Sequence, residues 1–296
     1  MSMNIEVLKN VCTAYRLLDS GNKRKLEQFG SIRIIRSEPK AWWKPALPDA
    51  EWRAAVAVHE DETSREGAWR FKGGRAPEPW VLKFRDAFSL QLRFMDRSKQ
   101  IGIFPEQSPH WDFILNNPVP AGKTCKLLNL FGYTGAASLA AACAGWHVTH
   151  VDASKPAVAW GRRNQELSGL SDSPIRWILE DAVKFCQREV RRGNTYEAIL
   201  LDPPAFGRGP GGELWKVERD LPPLLELCKK LLSPQASLVI LTLYTIDASS
   251  LLCKNLIEEM TADIRGGKVE FGELATPEYT PNARLLPLSL WAKWTR

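Results

Sequence analysis

Asp202 heads the segment Asp202-Pro203-Pro204-Ala205-Phe206-Gly207, directly after the apolar run 196–201. Neither proline can donate a backbone hydrogen bond, both have φ fixed near −65°, and the first also restricts Asp202, so the chain leaves its strand stiff and extended. Such a rigid exit suits a carboxylate that must be held still. Three further stretches carry residues of the same kind. Gly132 and Gly135 in "NLFGYTG" can bring backbone close to a ligand and open a helix with free N–H groups, although a tight turn alone would also use them. Asp152 stands seventeen residues beyond Gly135, where an acidic side chain can accept both hydroxyls of a ribose. Glu180 and Asp181 close a third apolar run. An isolated strand-end aspartate is more often a helix cap than a ligand. Four such exits in one ordered series are harder to assign to capping.

The elements that position these residues alternate. From about residue 121 the chain reads as the strand "CKLLNLF", the helix "GAASLAAACAG", the strand "HVTHVDAS", and the helix "KPAVAWGRRNQELSG", opened by a serine cap and closed by glycine. The strand "PIRWILED", the helix "AVKFCQREVRRG", the strand "YEAILLDPP", the helical "ELWKVERDLPPLLELCKKLL", the strand "ASLVILTLYT" and the helix "DASSLLCKNLIEEM" follow. This alternation predicts a doubly wound, mostly parallel sheet with helices on both faces, and ligands beyond the carboxyl ends of its strands. "KVEFGELA" and "LPLSLWAKW", joined only by a loop, require an antiparallel pair at the sheet edge.

Residues 1–100 have a different texture. "SIRIIR", "AAVAVH", "WVLKF" and "FSLQLRFM" read as short strands between turn signals, a smaller β-rich region. It holds 19 Lys and Arg against 13 Asp and Glu, whereas the rest of the chain is balanced at 21 each, so the whole net charge of +6 is N-terminal. A basic end is the footprint of a polyanion partner or a solvated basic surface. Trp42, Trp43, Trp52, Trp69 and Trp80 fall in this region and suit either a base-stacking surface or the packing of a thin β core.

Composition excludes several classes. With 44% apolar and 25% charged residues the 296-residue chain is an ordinary globular protein, long enough for a large α/β domain and a smaller appendage. The six cysteines lie far apart without a C-x-x-C pair, so neither a zinc site nor a disulfide framework is signalled and no metal is expected. No stretch approaches the length of a membrane span and the first thirty residues lack an apolar signal core, which makes the cytoplasm the expected location. The G-x-G-x-x-G of dinucleotide enzymes is absent from "FGYTGAAS", and neither "AGKT" nor "GGKV" completes a phosphate-binding loop.

Taken together, "NLFGYTG", "VDASKPAVAWGRRNQELSGL", Glu180-Asp181, "LDPPAFG" and the closing hairpin resemble the class I S-adenosylmethionine-dependent methyltransferases, within them the bacterial 23S rRNA cytosine-5 and guanine-N7 enzymes. The resemblance covers roughly residues 80–296 and includes "GIFPEQSPHWDFI" ahead of the core. It implies a Rossmann-like, seven-stranded sheet with an antiparallel C-terminal hairpin, in a methyltransferase domain over 101–296 beside the β-rich region 1–100, a candidate for substrate binding. It implies S-adenosylmethionine as cofactor, with Asn129, Phe131, Gly132 and Gly135 near its methionine part and Asp152 with Ala153 at the ribose. Asp181 and the Ala182 backbone would then meet the adenine, and Gln107 would cover the cofactor. "DPP" is similar to the D-P-P-Y type motif of amino-methylating enzymes: Asp202 and the Pro203 carbonyl accept from a planar amine, and Pro203 and Pro204 hold those acceptors still. Ala205 takes the place of the usual aromatic, and Phe206 follows it as a ring that can stack on a base.

One departure bears on mechanism. The cytosine-5 relatives need a nucleophilic cysteine after the fifth strand, where this chain has "LTLYTIDAS", with Tyr244 or its neighbours in that place and Cys253 inside the next helix pattern. The reading is direct, in-line methyl transfer from S-adenosylmethionine to a base nitrogen of RNA. Two alternatives stay open: a methyltransferase acting on a small metabolite or a protein side chain, and a non-catalytic cofactor- or RNA-binding module. The sequence does not give the oligomeric state.

Overall fold

Strand β1 (Glu6–Lys9) precedes a run of short strands, β2 (Tyr15–Gly21), β3 (Arg24–Phe29), β4 (Ile32–Ser37), β5 (Ala57–Glu60) and β6 (Ala68–Phe71), with helix α1 (Asp49–Arg53) between β4 and β5. These positions come from a computed structural model, which describes residues 6–60, 68–96, 98–209, 211–244 and 246–296. β2 to β6 form a five-stranded sheet in chain order, and β7 (Trp80–Phe84) pairs with β8 (Phe88–Leu92) as a separate hairpin. Asn22 and Lys23 both take positive φ in the turn between β2 and β3, the backbone that a two-residue hairpin needs.

Charged side chains, not only apolar ones, fill this sheet. Arg36 grips Glu27 with two hydrogen bonds, of 2.6 and 2.8 Å, and the Tyr15 hydroxyl donates to the same carboxylate at 3.0 Å. Burial alone would raise the Glu27 pKa, but Arg36 and Lys25 beside it hold it below the ordinary value. Asp19, fully buried, accepts from the Leu47 N–H at 2.8 Å, from Trp52 Nε1 at 3.0 Å and from Arg284 at 3.2 Å. The tryptophans mostly pack. Trp52 joins Leu18, Leu26 and Ile35 in a small core, Trp69 packs edge-to-face and Trp80 tilted against Phe94, and only Trp42 of the five stands open, at 83% exposure.

The chain then continues through α2 (Ser108–Asn116), β9 (Lys126–Leu130), α3 (Ala136–Cys143), β10 (His147–Asp152), α4 (Lys155–Leu167), β11 (Ile175–Leu179), α5 (Ala182–Arg191) and β12 (Ala198–Leu201). A two-stranded ribbon, β13 (Phe206–Arg208) with β14 (Leu214–Lys216), precedes α6 (Val217–Leu231), β15 (Leu238–Leu243), α7 (Ser250–Thr261), β16 (Lys268–Pro277) and β17 (Leu285–Thr295). The large sheet runs β11-β10-β9-β12-β15-β17-β16-β1. β9, β10, β11, β12 and β15 are parallel, and β17 lies antiparallel to β15. β9 pairs with both β10 and β12, so the winding reverses there and a crevice opens beyond the strand ends.

The expected doubly wound sheet is therefore present, with two differences. It has eight strands rather than seven, because β1 adds an edge beside β16. At that edge a Cβ on Gly272 would sit 1.7 Å from the Glu6 carbonyl oxygen, so only glycine lets the two strands meet. The helix expected from Glu213 begins at Val217, and Leu214–Lys216 belongs to the ribbon.

Two compact units result: Met1–Leu8, His110–Leu274 and Ser289–Arg296 form one, Lys9–Pro109 with Ala275–Leu288 the other. The boundary expected near residue 100 thus falls nine residues later, and the smaller unit also draws in a segment from the far end of the chain. Among the described residues no helix is long and apolar enough to cross a membrane.

Candidate active site

The loop after β9 turns on backbone that side chains rarely adopt: Phe131 has φ 58°, Tyr133 has φ 51° and Gly135 has φ 88°. The two glycines owe their identity to the protein's own rings. A Cβ on Gly132 would lie 2.3 Å from His150 Cε1, and one on Gly135 would lie 2.7 Å from the Trp177 ring. His150 and Trp177 are themselves in contact, 4.3 Å between ring centroids. Packing under the loop is one demand that the structure places on both positions.

Asn129, expected beside the cofactor, is only 3% exposed. Its Nδ2 donates to Ser138 Oγ at 2.9 Å, and Ser138 Oγ lies 3.0 Å from His150 Nδ1. Ser138 Oγ thus links Asn129 to His150 in one buried chain of hydrogen bonds. This chain fixes the loop from within. Burial is the main force that pushes His150 down to about 3, and His110 on α2 is pushed to the same value by burial and by Lys293.

The two histidines give a prediction with a definite sign. The unfolded chain binds a proton at each near pH 6.5 and the fold refuses it until about 3, so their contribution is complete above 6.5 and is lost as pH falls toward 3. The slope reaches about 1.4 kcal/mol per pH unit for each ring. Melting temperatures should drop between pH 7 and 5, and His110→Phe, which keeps an aromatic against Trp291, should drop less. An identical decline in this variant would show that His110 is not neutral in the fold.

At the tip of β10, the Asp152 carboxylate ties the loop to the next helix. One oxygen accepts from the Tyr133 N–H at 2.8 Å and the other from the Ser154 N–H at 2.8 Å. Each keeps a further acceptor site. Burial holds the Asp152 pKa above the usual carboxylate value, with the two N–H groups pulling against it. Ala153 lies between Asp152 and the Ser154 cap of α4, and the Ser154 hydroxyl accepts from the Ala157 N–H at 3.3 Å. Asp181 is the N-cap of α5: its Oδ1 accepts from the Lys184 N–H at 3.0 Å, which leaves Oδ2 and the first N–H groups of the helix, from Ala182 on, for a neighbour. Glu180 is paired with Arg188 on α5. Gln107 lies in a short 3-10 turn, Pro105–Gln107, that belongs to the smaller unit.

Asp202 stands at the end of β12, where Thr242 on β15 donates to its Oδ1 at 2.5 Å. Pro203 is buried and Pro204 half-buried. The Pro204 carbonyl accepts from Trp215 Nε1 at 2.7 Å, and the Ala205 carbonyl from the Val217 N–H at 3.0 Å, so the ribbon is fastened to Pro204 and Ala205. The Trp215 ring also lies against Phe131, 5.0 Å between centroids, which joins the ribbon to the β9 loop. Phe206 is 68% exposed. Nothing in the sequence pattern announced Trp215, although an aromatic eleven residues after a rigid Pro-Pro pair is the signal that could have found it.

Cys253 is fully buried in α7, where burial pushes it up to about 12, and Tyr244 follows directly on β15. Its neighbour Thr245 lies outside the described residues. Among the described residues no cluster of metal-ligating side chains is present.

The comparisons agree with this geometry. A family described as "Conserved hypothetical protein 95" matches residues 111–240. The crystal structure of a SAM-dependent methyltransferase from Agrobacterium tumefaciens superposes with a TM-score of 0.91 at 42% identity, over 100% of this chain and 96% of that one. The chain belongs to the S-adenosylmethionine-dependent methyltransferases. A methyltransferase chain from Streptococcus mutans shares the fold, with a TM-score of 0.71 at 19% identity over 95% of this chain and 75% of that one. Ribosomal RNA large subunit methyltransferase I of Pseudoalteromonas translucida is 28% identical over 265 residues, 88% of this chain and 61% of the relative. The K/L enzyme of the same organism is 36% identical over 119 residues, 40% of this chain and only 16% of the relative. The chain thus spans less than two thirds of the first of these relatives and about a sixth of the second.

The residues of this methyltransferase fit the cofactor that the family uses. Asp152 keeps unfilled acceptor sites at the second strand end, Asp181 and the α5 N-terminus offer an acceptor and donors at the third, and Asp202 stands at the fourth. S-adenosylmethionine held by these residues would supply an electrophilic methyl group.

Proposed function

We propose that this chain methylates a nitrogen of an RNA base, by direct transfer from S-adenosylmethionine. One observation carries the reading: a carboxylate fixed by Thr242 at 2.5 Å is followed by two rigid prolines and then by an aromatic ring left 68% exposed. A planar exocyclic amine donates to acceptors only. Asp202 and the Pro203 carbonyl are two acceptors in series, and an exposed ring beside them suits the flat face of a base. In-line displacement gains mostly from such positioning. In this reading Asp152 holds the ribose hydroxyls, Asp181 and Ala182 the adenine, and the loop from Phe131 to Gly135 the methionine part. Asn129 positions that loop through Ser138 and His150. RNA as substrate draws support from the two relatives whose names specify ribosomal RNA. The six free cysteines suit the reducing cytoplasm as the place of action.

The test is incorporation of labelled methyl from S-adenosylmethionine into ribosomal RNA, followed by digestion to identify the methylated atom. Label appearing only in protein or in a small-molecule fraction would replace the RNA reading by the first alternative. No label in any fraction would favour the non-catalytic one. A companion prediction concerns covalent chemistry. Serine at any one of the six cysteine positions should leave turnover in place, and RNA containing 5-fluorocytosine should not become trapped on the protein. A trapped complex that Cys253→Ser abolishes would restore a cytosine-5 mechanism.

A further inference from the structure

The ribbon that follows Asp202 has two unlike faces. Phe206 pairs with Lys216, Gly207 with Trp215 and Arg208 with Leu214. Side chains alternate across a strand, and directly paired residues share a face. Trp215 therefore lies alone on one face, opposite a glycine, where it is buried against Phe131. Phe206, Arg208, Leu214 and Lys216 share the other face, and all four are exposed. Phe206 is 68% and Leu214 57% open, unusual for large apolar side chains on a sheet surface.

Charge separates this face from its surroundings. The nearby cations are used within the fold: Lys184 pairs with Glu213 and Arg219 with Asp220. Arg208 and Lys216 have no ion-pair partner among the described residues. An apolar protein segment would cover the two hydrophobic side chains and strand two cations. A polyanion with flat apolar faces satisfies all four: bases against Phe206 and Leu214, phosphates against Arg208 and Lys216. Only an unstacked strand can present both at once.

We infer that the exposed face of the β13–β14 ribbon binds the single-stranded RNA segment that flanks the methylated base. The inference rests on the RNA reading above and adds the surface that holds the substrate. Trp215 and Glu213 anchor the ribbon to Pro204 and to α5, so this face is fixed relative to Asp202. A strand gripped here would present its next nucleotide at a defined distance from the carboxylate.

The experiment is equilibrium binding of the full chain to a labelled single-stranded RNA of about 12 nucleotides, within the usual range of single-strand site sizes, over a series of salt concentrations. Arg208→Ala with Lys216→Ala should lower the slope of log affinity against log salt by about 1.4, roughly 0.7 for each lost phosphate contact. Phe206→Ala should weaken binding by about fivefold to a hundredfold and leave that slope unchanged. Arg208→Lys with Lys216→Arg should restore the wild-type slope. If wild type shows no salt-sensitive binding to any RNA, the RNA reading fails and the ribbon inference with it. If wild type binds with a steep slope that the alanine pair does not alter, the ribbon inference alone is overturned. Equal or tighter binding to a duplex of the same length would overturn the single-stranded partner.

Discussion

Asp202→Ala is expected to lower the rate of methyl transfer by about 10² or more while leaving cofactor affinity nearly intact, the scale of losing a group that positions a nucleophile or accepts its proton. Thr242 already satisfies Oδ1 at 2.5 Å, so alanine would also leave that hydroxyl without this acceptor, and Asp202→Asn separates the two effects. Asparagine can keep an oxygen toward Thr242 but presents an amide donor where the substrate amine needs an acceptor, so it too should be slow. Single-turnover rates with saturating cofactor are the appropriate measurement. A normal rate in both variants would reduce Asp202 to a structural partner of Thr242 and remove the proposed reason for the two prolines.

Asp152→Ala should weaken S-adenosylmethionine binding by about tenfold to a hundredfold, as expected for hydrogen bonds to a charged acceptor. The carboxylate does two jobs, since it also accepts from the Tyr133 and Ser154 N–H groups. Alanine therefore loosens the β9 loop as well as removing the ribose acceptor, whereas Asp152→Asn retains one acceptor and should fall between. Because burial raises this carboxyl's pKa and the protonated form has fewer acceptor sites, affinity should weaken with acid beginning at a higher pH than an ordinary aspartate would give. Calorimetry reads both effects. Equal affinity in wild type and Asp152→Ala would exclude the ribose role.

The parallel sheet was legible because its central strands β9, β10, β12 and β15 are apolar runs that are mostly buried, and helices α4 and α5 carry clear caps. Ser154 and Asp181 cap α4 and α5 as their positions imply. Strands β2 and β3 were not legible: Asp19, Lys25 and Glu27 look like surface residues, and burial within a network of opposite charges erases the alternation that a periodicity argument needs. The ribbon hid for another reason. Its strands have three residues each, and the stretch between them is rich in glycine. At the site, the acidic strand ends could be found because their positions follow from the winding. The cause of Gly132 and Gly135 could not, because it lies in His150 and Trp177, which only the folded chain brings beneath them.

The smaller unit takes its last segment, Ala275–Leu288, from beyond the whole of the larger unit's helices. Within it Arg284 reaches both Glu278, at 2.8 Å, and the buried Asp19, at 3.2 Å. During synthesis the residues around Asp19 leave the ribosome more than two hundred and fifty residues before Arg284 does. At about 5–20 residues per second the interval is tens of seconds at the slower rates. Throughout it this carboxylate, destined for full burial, has the Leu47 and Trp52 N–H donors but no guanidinium to balance its charge. The N-terminal strands therefore gain the countercharge for Asp19 only once Arg284 has been made, and a chain cut short before Arg284 should hold its first-made unit less tightly.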